Sequence, residues 1–196
     1  RILLEQKDLA EDIAGLPAYV KSLKEKYGKF SGMAYCAGIT ALSPARVFDL
    51  EYARHVFDVN YFSPVFMAKG LIDKRNNVGN GCSLVFLSSV DALLSVKGQS
   101  LYSGSKAALS ATIRSIAHEV AGQGIRMNCL LPSMTKTPMT LNSQSEELGL
   151  IEAGDDRYPF GWGTPEKVAQ FVAFLLSSCG SHLSGQNYVA DSGGVY

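Results

Sequence analysis

The 196-residue chain has no excess charge of either sign: 18 Lys and Arg balance 18 Asp and Glu. A chain without a basic surplus carries no electrostatic footprint for nucleic acid or for an anionic membrane. It also lacks an apolar run of the roughly 18 residues that would cross a bilayer. The opening RILLEQKDLAED shows no signal-peptide pattern. Cysteine is sparse: Cys36, Cys82, Cys129 and Cys179 are far apart, and none sits in a CxxC or Cys/His cluster. That spacing argues against a disulfide framework and against a metal site, and it fits a reducing, cytoplasmic compartment. The histidines, His55, His118 and His182, are as scattered, and no carboxylate-and-nucleophile arrangement accompanies them. Disorder is excluded by a hydrophobic content of 46% against 18% charged residues. The length suits a single domain, taken as residues 1–196, with enough chain to bury a real core.

What is present is an alternation of short apolar runs and longer helical patterns. Ile2 to Leu9 reads as the end of a strand. Ala10 to Tyr27 reads as a helix, with Ile13, Leu16, Val20 and Leu23 on one face and Gly28 as its stop. Met33 to Ala37 is a strand closed by Gly38, and Asp49 caps a long helix reaching about Lys74. Ser83 to Ser88 is a buried strand, Leu101 to Ala121 a helix, and Ile125 to Leu131 a further strand. Residues 133–163 hold no clear long element and read as a substrate-side loop region. Thr164-Pro165 opens a helix to about Ser178, and Gln186 to Ala190 is the last strand. Strands alternating with helices of this length predict an α/β fold with a parallel sheet covered on both faces.

The chemistry concentrates at Tyr102-Ser-Gly-Ser-Lys106. On a helix, positions i and i+4 share a face, so the phenol and the ammonium are neighbours. A nearby ammonium favours the phenolate and lowers a pKa that is otherwise near 10. The pair then becomes a usable proton donor and acceptor. Ser89 ends the strand SLVFLSS, and ligands of open α/β sheets bind at the carboxyl ends of strands. Gly38 and Pro132 stand at such ends too, and Ser88 rivals Ser89 on sequence alone. Pro64, inside a helical pattern, cannot donate to the carbonyl of Asn60, leaving a vacancy that water could take.

Asn60, Ser89, Tyr102 and Lys106 at these spacings resemble the Asn-Ser-Tyr-Lys tetrad of the short-chain dehydrogenase/reductase family. Ala37-Gly38 resembles the end of the family's Asn-Asn-Ala-Gly turn, and NCLLPSMTKTPM from Asn128 to Met139 its strand with Pro-Gly-x-x-x-Thr. SGQNYVADSGG from Ser184 to Gly194 resembles its last strand and Asp-Gly-Gly end, and Asp8-Leu9 the Asp-Val beside the adenine. Bacterial 3-oxoacyl-acyl-carrier-protein reductases and related sugar or alcohol dehydrogenases look most alike.

The resemblance implies a Rossmann-type doubly wound sheet and an NAD- or NADP-dependent oxidoreductase interconverting a carbonyl and a secondary alcohol. Tyr102 would exchange the proton with the substrate oxygen, and Ser89 would hydrogen-bond that oxygen. Lys106 would lower the Tyr102 pKa and bind the nicotinamide ribose, and Asn60 would hold a water in a proton relay. Pro132, Thr135 and Thr137 would line the nicotinamide, and Asp8, Leu9, Ala37 and Gly38 the adenosine half. The substrate would be a small-molecule or acyl-carrier-linked carbonyl. Apolar residues on more than one face of the Asp49–Lys74 and Leu101–Ala121 helices, which pair across a two-fold axis in the family, imply a homodimer or homotetramer.

The sequence departs from the pattern in several places. Tyr35 and Cys36 replace the two asparagines, Ser133 replaces the glycine after Pro132, and Ser192 stands inside the usual Asp-Gly-Gly. No GxxxGxG occurs. The family's first strand and glycine-rich turn would precede residue 1, so roughly 50 further residues are expected before Arg1, and the strand at Met33 to Ala37 should otherwise show an open edge. NAD and NADP are not distinguished without that segment. A catalytically idle dinucleotide-sensing or scaffold subunit on the same fold is the alternative, as is an inactive fragment.

Overall fold

The apolar runs around Ala34, Val85, Leu130 and Val189 pair, in chain order, into one parallel sheet. The chain is seen as a computed structural model that describes residues 2–94, 96–141 and 156–194. The strands are β1 (Gly32–Tyr35), β2 (Ser83–Leu87), β3 (Arg126–Pro132) and β4 (Asn187–Ala190). Their register sets Tyr35 opposite Phe86, Phe86 opposite Cys129, and Cys129 opposite Asn187. The helices are α1 (Leu16–Tyr27), α2 (Leu50–Phe57), α3 (Ser63–Leu71), α4 (Ser100–Val120) and α5 (Pro165–Leu176).

Parallel strands need crossovers, and these place helices on both faces. On one face α4 packs on β3 while α1 packs on α3. Val20, Leu71, Leu84, Phe86, Leu109, Ile113, Met127 and Leu131 form the main core there. On the other face α5 sits over β1, β2 and β3, and Val172 and Leu175 meet Val85 and Leu130. The fold is thus the doubly wound α/β arrangement expected from the sequence.

Helix ends follow local chemistry. Asp49 caps α2 by accepting from the Tyr52 N–H at 2.8 Å. Thr164 caps α5, with Pro165 in its first turn. Gly28 ends α1 at φ 90°, a conformation that favours glycine, and its N–H returns to the Lys24 carbonyl.

Three expectations need correction. Residues 2–9 form no strand: Ile2 and Leu4 are about 90% exposed, and no ladder forms along them among the described residues. β1 pairs with β2 alone, so it is the sheet edge among the described residues. The helix read from Ala10 starts only at Leu16, because Asp8 and Asp12 bond the N–H groups of Ala10 and Gly15 in turns instead. The long helix read from Asp49 to Lys74 is three segments: α2, a π-helical turn at Asp58–Phe62, and α3. Pro64 has no N–H to continue an α-helical ladder, and the Ser63 N–H reaches back to the Asp58 carbonyl, the wider spacing of a π turn. The loop region 133–163 lies partly outside the described residues, since 142–155 are not among them.

Candidate active site

Because the strands are parallel, the segments that follow β1, β2 and β3 all emerge at one end of the sheet. They enclose a cavity of about 620 Å³. Gly38, Ser89, Tyr102, Lys106, Pro132, Thr135 and Thr137 lie on its wall, together with Cys36, Ile39 and Ser133. Seven of the residues singled out in the sequence therefore converge. Asp8, Leu9 and Ala37 lie outside that wall. Asp8 accepts from the Ala10 N–H at 2.8 Å, and Leu9 packs on the main core.

Tyr102 and Lys106 share one face of α4, as i, i+4 spacing requires. The Lys106 ammonium stands 5.8 Å from the Tyr102 ring centroid and donates to the Leu87 carbonyl at 2.9 Å. Burial pushes the Lys106 pKa down to about 8; the neighbouring Cys129 and Cys36 work weakly the other way. The phenol does not follow the expectation that Lys106 pulls it down. Burial pushes Tyr102 up to about 12, a hydrogen bond with Ser89 holds it back, and the Asp91 carboxylate raises it further. Withdrawal from water disfavours the phenolate more than the neighbouring groups favour it. Tyr102 is accordingly a protonated group, suited to giving a proton.

The choice between the two serines falls out of hydrogen bonding. The Ser88 hydroxyl is engaged inside the fold, with the Lys106 carbonyl at 3.0 Å and the Ser110 hydroxyl at 2.8 Å. The Ser89 hydroxyl accepts from the Asp91 N–H at 3.1 Å and meets Tyr102 at the cavity.

Asn60 is fully buried behind the wall, on the π turn. Its Oδ1 accepts from the Ile39 N–H, and its Nδ2 donates to the Ile39 carbonyl, both at 2.9 Å. The same Nδ2 donates to Ser105 Oγ at 3.2 Å. A Cβ placed on Gly38 would lie 3.2 Å from Asn60 Oδ1 and 3.3 Å from Lys106 Nζ. Glycine is what allows the three groups to approach here. Sequence reasoning missed the Ile39 backbone, the Leu87 carbonyl, Ser105 and Asp91. Backbone partners leave no residue-type signal, and nothing in the sequence marked Ser105 or Asp91. Among the described residues no group of His, Cys, Asp and Glu could hold a metal, and no helix is long and apolar enough to cross a membrane.

The family model described as enoyl-(acyl carrier protein) reductase matches residues 9–194. The chain belongs to the short-chain dehydrogenase/reductase family. A 3-oxoacyl-acyl-carrier-protein reductase from Chlamydia pneumoniae is 30% identical over 93% of this chain and 72% of its own length. A tropinone reductase homolog from Arabidopsis thaliana is 40% identical over 57% of this chain, covering 42% of the relative. Among solved structures, a dehydrogenase/reductase from Sinorhizobium meliloti matches with a TM-score of 0.86 and 25% identity, over 98% of this chain and 74% of that one. A short-chain dehydrogenase from Burkholderia cenocepacia, solved in complex with NADP, matches with a TM-score of 0.82 and 25% identity, over 96% and 74%.

The chain is an NAD(P)-dependent oxidoreductase of this family, and the cavity fits the nicotinamide end of that cofactor. An ammonium has three donors, and among the described residues that of Lys106 makes one hydrogen bond, to Leu87. Donors remain for ribose hydroxyls. The open Cα of Gly38 beside it permits close approach.

Proposed function

We propose that the chain interconverts a carbonyl and a secondary alcohol at the cavity formed by Ser89, Tyr102 and Lys106. The observation that carries this reading is the convergence of a hydroxyl, a half-buried phenol and a buried ammonium on one wall. When bound, the nicotinamide supplies or accepts hydride. Ser89 holds the substrate oxygen by hydrogen bonding and favours its developing negative charge. Tyr102 gives that oxygen a proton from its hydroxyl. Lys106 holds the nicotinamide ribose, with Pro132, Thr135 and Thr137 beside the ring. Asn60 keeps the turn after β1 in place and borders the proton path at Lys106. Asp8, Leu9 and Ala37 belong to the adenosine side, and Gly38, expected there too, borders Lys106 at the nicotinamide ribose.

The 3-oxoacyl-acyl-carrier-protein reductase among the relatives makes a 3-oxoacyl thioester a substrate to try. The four unpaired cysteines support a reducing, cytoplasmic setting. Leu50 and Phe62, 63% and 41% exposed, support pairing of this chain with a second copy in a homodimer or homotetramer.

The test is Tyr102→Phe, which keeps the ring and removes the transferable proton. NADH or NADPH oxidation with a ketone panel should fall by a factor of about 100 or more, while cofactor binding by calorimetry stays within about threefold. Near-normal turnover in the variant would remove Tyr102 from the role. Dinucleotide binding by the wild type without turnover of any ketone would favour a catalytically idle subunit instead.

A further inference from the structure

Two serines follow β2, and the proposed chemistry uses only Ser89. Ser88 is buried, and the sheet fixes its place: its N–H donates to the Leu130 carbonyl of β3 at 2.8 Å. A serine hydroxyl has one proton to give. Ser88 gives it to the Lys106 carbonyl at 3.0 Å, so Ser110 is the donor in the 2.8 Å contact between the two serines. Lys106 is thereby held at two points by consecutive residues. The Leu87 carbonyl takes its ammonium at 2.9 Å, and the Ser88 hydroxyl takes its backbone carbonyl.

The bond from Ser88 is not one that the helix requires. Lys106 lies inside α4, and a carbonyl there already accepts the N–H four residues on. Ser83, at the other end of the same strand, gives the contrast. It is also buried, and its hydroxyl donates to the Leu175 carbonyl at 2.9 Å. Leu175 is in the last turn of α5, where carbonyls have no partner within the helix. Ser83 thus satisfies an orphan carbonyl, whereas Ser88 adds a second bond to a carbonyl that has one. What Ser88 sets is the place of the Lys106 backbone relative to β2. A lysine stem has several free rotors, and tying both of its ends to one strand leaves it few arrangements. We propose that Ser88 is a positioning residue for Lys106: it holds the Lys106 backbone against the end of β2, so that the ammonium meets the Leu87 carbonyl and faces the cavity in one arrangement. Its effect on cofactor binding rests on the reading that Lys106 holds the nicotinamide ribose; its effect on the lysine itself does not.

The test compares Ser88→Ala, Ser88→Cys and Ser83→Ala with wild type. Ser88→Cys fills the same space with a weak donor and stands in should Ser88→Ala not fold. Ser83→Ala is the control, since it removes a buried hydroxyl bond from the same strand at the end away from the cavity. NMR relaxation of the Lys106 ε-methylene, with isotope-labelled lysine, reads the side chain directly, and Lys106→Met identifies its signal. The order parameter should be about 0.8 in wild type and Ser83→Ala, and below about 0.6 in both Ser88 variants. A wild-type Lys106 as mobile as a surface lysine overturns the role of Ser88. So does an unchanged order parameter in the Ser88 variants, or an equal loss in Ser83→Ala. A second arm is a double-mutant cycle on the binding of NADH and NADPH, read by calorimetry. Ser88→Ala should weaken binding by about tenfold in wild type and by less than about twofold in the Lys106→Met background. Equal weakening in both backgrounds also overturns the role, since general loosening adds independently of the lysine. If Lys106→Met binds cofactor as wild type does while the order parameter falls in the Ser88 variants, Ser88 keeps its role and the ribose reading of Lys106 fails.

Discussion

Lys106→Met should make the protein more stable at neutral pH while removing activity. The ammonium is almost entirely buried, and its pKa falls from 10.5 to about 8. At about 1.4 kcal/mol per unit, carrying the proton in the folded state costs about 3 kcal/mol. Methionine matches the length of the stem and carries no charge. The variant does lose the bond to the Leu87 carbonyl, and an unpaired buried acceptor costs about 1–2 kcal/mol. A net gain of about 1–2 kcal/mol near pH 7 remains.

The pH dependence gives the sharper check. A lysine whose folded pKa is depressed penalises the folded state fully below that pKa. The penalty fades as pH rises from about 8 toward the unfolded value of 10.5. Wild type should therefore gain about 2 kcal/mol relative to Lys106→Met between about pH 8 and pH 10. Burial raises the thiols of Cys36, Cys82 and Cys129, so both chains lose stability together as the unfolded thiols ionise in this window. The difference between the two chains isolates Lys106. Tyr102, raised from 10.0 to about 12, weighs against the fold only above the window. Urea titrations of both proteins at several pH values read the difference directly. A variant less stable than wild type at pH 7, or a gap that stays flat from about pH 8 to pH 10, would refute the reasoning.

Two further outcomes follow from single side chains. Asn60→Ala strips the partners from the Ile39 N–H and C=O, so the urea midpoint should drop by the equivalent of about 2–3 kcal/mol, and Asn60→Asp should recover only part of it. Ser192 holds φ at 57°, in the left-handed region that favours glycine; Ser192→Gly should raise stability by about 1 kcal/mol in a thermal melt, and no gain would mean the backbone there is unstrained.

Much of the fold was legible because parallel α/β sheets write plain patterns. SLVFL is a run buried on both faces, and Thr164-Pro165 and Asp49 are helix starts whose caps form as expected. Ile2 to Leu9 looked equally strand-like, but apolar residues make a strand only beside a partner, and β1 pairs on one side alone. The π turn was half legible. Pro64 announced that the ladder must break, yet the residue type does not say whether a chain answers with a kink or with a wider turn. In the site, spacing put Tyr102 and Lys106 on one helix face, whereas Ser89 came from the family resemblance, and hydrogen bonding then separated it from Ser88. The direction of the Tyr102 pKa was not, since it depends on how deeply the hydroxyl is buried, and sequence neighbours say little about that.

The departures from the family pattern can be weighed in the same terms. Tyr35 and Cys36 replace the two asparagines before Ala37-Gly38, yet they leave the groups around Asn60 intact. Tyr35 turns into the core and stacks on Phe86 with ring centroids 6.4 Å apart, while Cys36 lies on the cavity wall. The turn after β1 is held instead by Asn60, which pairs with both polar groups of the Ile39 backbone as a neighbouring strand would. Its remaining donor goes to Ser105, one residue before Lys106 on α4. A single buried amide therefore joins the turn after β1, the π turn and α4, the elements that bring Gly38, Asn60 and Lys106 together. The departure at 36 changes the cavity wall and the one at 35 changes the core, whereas the spacing of Lys106 from Gly38 depends on Asn60. Cofactor affinity can thus diverge from the family pattern while the arrangement around Tyr102 and Lys106 stays in place.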